Sequence, residues 1–125
     1  MKKTFYVTTP IYYVNAKPHI GSLYATLAAD VLARYHRMKG EDVFFLTGTD
    51  ENSQKTLKAA EAAGREPVAY LDEMAEEWKK IWEAFDISYD RFIRTTEQDH
   101  HGAVLKFFAK LNPSDIYKGL YEGWY

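Results

Sequence analysis

The chain has 125 residues, 46% of them hydrophobic and 16% aromatic, and 16 basic against 18 acidic side chains give a formal net charge of −2. That length suits one small domain or a piece of a larger one, and that apolar content supports a buried core and excludes a disordered chain. The charge balance gives no general electrostatic footprint for nucleic acid, so an RNA partner would be met mostly elsewhere, and the lack of cysteine excludes disulfides and thiolate zinc sites within these residues.

Met1-Lys2-Lys3 leads into a strand pattern, Thr4 to Thr8, and not into a signal peptide's apolar segment. No apolar run approaches the length that spans a bilayer, so the sequence reads as cytoplasmic, with no membrane partner. The stretch Thr8 to Ser22, TTPIYYVNAKPHIGS, then forms a loop into a helix over about residues 20–39. A helix N-terminus offers unpaired N–H groups to an anion, and His19 and Gly21 stand there. Glycine permits close approach of a ligand, and histidine can hydrogen-bond a phosphate. A plain turn and helix start is the alternative reading of the same residues. Leu23, Leu27, Ala28, Val31, Leu32, Tyr35 and Met38 define the helix's apolar face, and Gly40 ends it.

Val43 to Thr47 is a short continuous apolar run, as in a strand buried on both faces. Strand, helix and strand make a βαβ unit, in which ligands sit beyond the carboxyl ends of the strands. Two loops are therefore expected to converge, residues 9–19 and the stretch Gly48-Thr49-Asp50-Glu51. Asp50 there can receive an ammonium group where water is limited, or Asp50 or Asn52 can cap the helix that starts near Ser53. That helix covers 53–63 and Gly64 closes it; Pro67 opens a longer one. Val68, Leu71, Met74, Ala75, Trp78, Ile81, Trp82 and Phe85 form its core-facing stripe, with Glu73, Glu76, Glu77, Lys79 and Lys80 on a solvated face. Residues 86–94 read as a turn and a third short strand, after which Thr95 or Thr96 caps a helix running to about Leu111. His100 and His101 are neighbours in its first turns and cannot both face one site, so they read as surface residues. Asn112-Pro113-Ser114 is a break, and Ile116 to Tyr125 has the turns and aromatics of a hairpin.

Four stretches, in order, resemble the methionyl-tRNA synthetases, a class I aminoacyl-tRNA synthetase family. TTPIYYVNAKPHIGS is similar to the family's nucleotide-binding loop, with Ser22 at the fourth position of its HIGH tetrapeptide. Thr47 to Ser53 is similar to TGTDEHG, with Asn52-Ser53 where His-Gly is more frequent. Ile87 to Thr96 is similar to the ISYDxFxRTT segment, and the chain ends in the GWY after which the family continues.

The resemblance implies an α/β fold, the first half of a Rossmann-like parallel-sheet nucleotide-binding domain over residues 1–112, with 113–125 beginning an inserted domain. It implies ATP-dependent activation of L-methionine to methionyl adenylate and transfer to tRNA(Met), with Mg²⁺ entering as the ATP complex. By position, Pro10, Ile11 and Tyr13 would shape the methionine pocket and Asp50 would hold its ammonium group. Tyr13, His19, Gly21 and Ser22 would line the ATP site, with His19 and Ser22 acting in catalysis. A serine hydroxyl is shorter than imidazole and carries no charge, so Ser22 implies slower or differently tuned adenylate formation. The family's Lys-Met-Ser-Lys-Ser loop, zinc-bearing insertion and anticodon-binding domain have no counterpart in the 125 residues. The expectation is an N-terminal fragment, inactive or very weak alone, with the remaining C-terminal part of the enzyme as a partner. A non-catalytic nucleotide- or protein-binding module and a nucleotidylyltransferase are the alternatives.

Overall fold

A computed structural model describes residues 2–120. In chain order the elements are β1 (Thr4–Thr8), β2 (Tyr12–Tyr13), α1 (Ile20–Met38), β3 (Asp42–Asp50), α2 (Gln54–Ala62), α3 (Pro67–Ala84), β4 (Arg91–Arg94), α4 (Gln98–Phe108) and a 3₁₀ turn at Pro113–Asp115. All strand pairs are parallel and all involve β3. Leu46 is flanked by Thr8 and Arg91, and Thr49 by Tyr12 and Arg94, so β4 lines one edge of β3 while β1 and β2 share the other. The expected βαβ unit and Rossmann-like parallel sheet are therefore in place.

Parallel register puts paired residues on the same face, and alternation then sorts the whole sheet. Phe5, Val7, Tyr12, Val43, Phe45, Thr47, Thr49, Phe92 and Arg94 share one face. There Val14, Phe45 and Phe92 pack with Ala29 and Ala33 of α1, Met74, Trp78 and Trp82 of α3, and Ile87 beyond it. The other face carries Tyr6, Phe44, Leu46, Gly48, Tyr13 and Asp50. Tyr6 is 59% exposed and Phe44 49%, so β3 is buried on one face and not on both as its apolar run suggested.

Three further expectations are corrected. The apolar face assigned to α1 is rotated from the one it buries: Ser22, Thr26, Ala29, Asp30 and Ala33 face inward, flanked by Leu23 and Leu27, while Val31, Leu32, Tyr35 and Met38 lie exposed. Small and hydroxyl side chains let the helix lie close to the sheet, and hydrophobicity alone does not show that. Gly48, Thr49 and Asp50 belong to β3 and not to a loop, because β4 pairs with Gly48 and Thr49 and β2 with Thr49 and Asp50, which prolongs the ladder. Thr95 and Thr96 do not cap α4, whose N-cap is Glu97 without a side-chain bond; both hydroxyls go to Glu51 instead.

The short helix α2 starts from Ser53, whose hydroxyl accepts from the Thr56 amide at 3.2 Å, so neither Asp50 nor Asn52 is its cap. Gly64 follows it at φ +64°, a left-handed conformation that favours glycine. On α3 the pairs Lys79–Glu76 and Lys80–Glu77 sit on the solvated face as anticipated, while Val68 and Phe85 at its ends are exposed. No residue of α4 is buried. Ile116 to Leu120 form no strand, and the rest of the expected hairpin lies outside the described residues.

Candidate active site

The carboxyl ends of the strands are built by three polar devices. Thr9, leaving β1, bonds the Thr47 hydroxyl at 2.7 Å and the Pro10 carbonyl at 2.8 Å, which turns the chain toward β2. Tyr13 then pairs with Asp50 across the β2–β3 ladder. The two share a sheet face, so the aromatic ring and the carboxylate stand side by side, both partly exposed. Tyr12, on the opposite face, reaches α1: its hydroxyl meets the Ser22 carbonyl at 3.2 Å and the Thr26 hydroxyl at 3.0 Å.

At the start of α1 a reciprocal cap forms. His19 Nδ1 accepts from the Gly21 amide at 3.0 Å, and the Ser22 hydroxyl accepts from the His19 amide at 3.4 Å. A ring nitrogen that accepts carries no proton in the neutral ring, so Nε2 bears it and is a donor. A Cβ at Gly21 would lie 2.9 Å from the His19 ring, so glycine leaves room for this arrangement. Ser22 is 3% exposed and spends its hydroxyl on the cap.

A cleft of about 240 Å³ opens here, lined by Ile11, Tyr12, Tyr13, Asn15, Ala16, Lys17, His19, Ser22 and Trp78. That is below the roughly 300–1,000 Å³ of small-molecule pockets. Of the residues named from the sequence, Ile11, Tyr13, His19 and Ser22 come together in it. Asp50 stands beside it through Tyr13, while Pro10 and Gly21 shape the backbone without lining it.

Sequence reasoning missed three contributors. Trp78, expected as core, donates its indole N–H to the Ala16 carbonyl at 3.2 Å and stacks on Tyr12 with ring centroids 4.9 Å apart. It thereby ties α3 to the loop that carries His19; nothing in a helical stripe signals such a long-range bond. Lys55 of α2 lies 5.5 Å over the Tyr13 ring, a cation–π contact beside Asp50. Glu51 is the third. Its side chain is fully buried, and it accepts from Thr49 at 2.9 Å, Arg94 at 2.7 Å and Thr96. Burial pulls the Arg94 guanidinium down, but Glu51 and Asp72 more than compensate and hold it above its ordinary value. The alternation of a strand leaves Asp50 and Glu51 on opposite faces, Asp50 beside Tyr13 and Glu51 with Thr49 and Arg94 on the face toward α3.

His100 is half-buried, His101 is exposed, and their ring centroids are 6.4 Å apart. Among the described residues no three His, Cys, Asp or Glu side chains cluster as a metal site, and no helix is long and apolar enough to cross a membrane.

The family model described as tRNA synthetases class I (M) matches residues 5–125. The chain belongs to that family. Its relatives include the methionine–tRNA ligases of Thermotoga maritima, 56% identical over 97% of this chain, and of Clostridium tetani, 58% identical over 99%. It covers 19% and 20% of those proteins, so the chain spans about a fifth of the length of the curated relatives it matches. Among solved structures, Mycobacterium tuberculosis methionyl-tRNA synthetase in complex with methionyl-adenylate superposes with a TM-score of 0.84 at 46% identity, over 86% of this chain and 21% of that one. The family is a family of aminoacyl-tRNA synthetases, and the superposition agrees with the Rossmann-like parallel sheet.

Proposed function

We propose that this chain carries the methionine- and ATP-recognition elements of a methionine–tRNA ligase, which activates L-methionine with ATP and transfers it to tRNA(Met) in the cytoplasm. The observation that carries the reading is the Tyr13–Asp50 pair standing beside a capped helix N-terminus at the carboxyl end of a parallel sheet. The relatives' names and the methionyl-adenylate held by the superposed structure support it.

In this reading Asp50 takes the ammonium group, while Ile11 and Tyr13, with Pro10 setting the turn, receive the thioether side chain. The first turn of α1 presents its positive dipole end to the phosphates, Gly21 leaves room for their approach, and His19 Nε2 donates a hydrogen bond. Methionine's carboxylate attacks the α-phosphate, a new C–O–P linkage forms, and pyrophosphate leaves; protein groups supply positioning and charge stabilisation. Mg²⁺ arrives with the nucleotide and needs no protein cage. Ser22, committed to the cap, acts by holding His19 in place. Residues 1–112 belong in this reading to the catalytic domain and 113–125 to the start of an inserted one.

The test is a chimera in which this chain replaces the matching fifth of the Thermotoga maritima enzyme. Methionine-dependent ATP–pyrophosphate exchange is expected, and Asp50→Ala should reduce kcat/KM for methionine by about a hundredfold or more. Exchange that survives Asp50→Ala undiminished, or a correctly folded chimera with none, would overturn the reading.

A further inference from the structure

Among the described residues nothing hydrogen-bonds the Asp50 carboxylate, yet recognition of an ammonium group needs that carboxylate in one place. We propose that Glu51 is a positioning residue for Asp50, clamping the end of β3 from the sheet face opposite Asp50 so that the Asp50 side chain is presented to an amino-acid ammonium group. The inference rests on the proposed role of Asp50 and concerns a residue that itself touches no substrate.

The clamp closes on both sides of Asp50. Ahead of it, the Thr49 carbonyl accepts from the Thr95 amide at 3.3 Å, and the Thr49 hydroxyl donates to Glu51. Behind it, the Glu51 amide donates to the Thr95 hydroxyl at 2.8 Å, and the Asn52 side chain donates to the Thr95 carbonyl at 3.1 Å. Arg94 donates to Glu51 through Nε and reaches Asp72 of α3 with its other arm at 2.7 Å. A buried carboxylate is tolerated only when its oxygens are satisfied, so this network has one good geometry and resists small shifts. Fixing the peptides on either side fixes the direction in which Asp50 leaves the strand. A strand end held only by backbone pairing to the two-residue β2 would not be so constrained.

A positioning role predicts a selective loss. The comparison is between L-methionine and its analogue lacking the amino group, measured by calorimetry on this chain. Glu51→Gln, which keeps the size and removes the charge, should weaken L-methionine about tenfold or more while the analogue's affinity stays unchanged. Arg94→Lys, which keeps the charge and loses the two-armed grip, should show the same selectivity. Equal losses for both ligands, or none, would overturn the proposal. Should Glu51→Gln fail to fold, Thr96→Val removes a single donor and tests the same point. Wild-type chain that binds neither ligand leaves the reading of the site to the exchange assay on the chimera. In that case the Asp50 χ1 rotamer decides: three-bond couplings should show one dominant rotamer in the wild type and averaging in the variant, and identical populations would refute the clamp.

Discussion

Gly48 shows how narrowly single residues are specified at the end of β3. It is buried, and a Cβ there would collide with the Ile93 carbonyl oxygen and side chain on the neighbouring strand. A carbonyl cannot rotate away as a side-chain tip can, so Gly48→Ala should force β3 and β4 apart next to Asp50 and Glu51. The expected cost is about 1–3 kcal/mol, read as a lowered urea midpoint with an unchanged m-value. An alanine variant as stable as the parent would show that the strands can spread freely. The sequence places Gly48 beside the acidic pair but suggests a loop, because the strands that prolong the ladder there, four-residue β4 and two-residue β2, are too short to produce a periodic signal. His19 was legible from its place at the start of a helix, whereas Ile11 and Tyr13 were named through the family resemblance of the stretch they share with it. Glu51 and Trp78 were not legible, since their partners lie 43 to 62 residues away in sequence.

At the scale of elements, α1 is fastened to the turn before β4 by a buried carboxylate. Asp30, 5% exposed, accepts from the Ser88 amide at 2.7 Å, the Ser88 hydroxyl at 2.6 Å and Arg34 Nε at 2.6 Å. Arg34 also reaches Asp86, whose φ of 52° places it in the left-handed region, and Arg37 bonds Ser88 and Asp90. Burial pushes the Asp30 carboxyl up, but the two Ser88 bonds and Arg34 outweigh it and hold the group below the usual carboxylate range. A carboxyl with a lowered folded value favours the folded state fully above its unfolded value of about 4, and that contribution disappears as pH falls through the folded value. The chain should therefore lose stability on acidification below about pH 4, and Asp30→Asn should flatten this part of the profile while lowering stability at pH 7 by about 1.5–3 kcal/mol. Unfolding titrations in urea from pH 7 to 3 measure both effects; parallel profiles for parent and variant would remove Asp30 from the account. Periodicity located α1 correctly in length and erred in its rotation for this reason. It counts apolar side chains, and the face that packs here is made of Ser22, Thr26, Ala29, Asp30 and Ala33.

For the molecule as a whole, the arrangement of layers has the strongest physical consequence. Parallel sheets are ordinarily covered on both faces, since each strand's side chains alternate between them. Here α1 and α3 cover one face, and on the other Tyr6 and Phe44 lie about half exposed with their ring centroids 6.1 Å apart. On the outside of α1, Ile20, Tyr24, Val31, Tyr35 and Met38 add a second apolar surface. Scattered exposed hydrophobic residues are unremarkable in a soluble domain, but contiguous ones drive association. The chain by itself should accordingly self-associate with rising concentration in sedimentation velocity and bind a hydrophobic dye. The double variant Tyr6→Lys/Phe44→Lys should lower both, because it puts two like charges on the bare face. Its unfolding free energy should change by no more than about 0.5 kcal/mol per site, since neither ring contributes to the core cluster. A parent that stays monomeric and dark at every concentration would show that this face is not an adhesive surface. A variant that unfolds would show that the Tyr6–Phe44 stack stabilises the sheet.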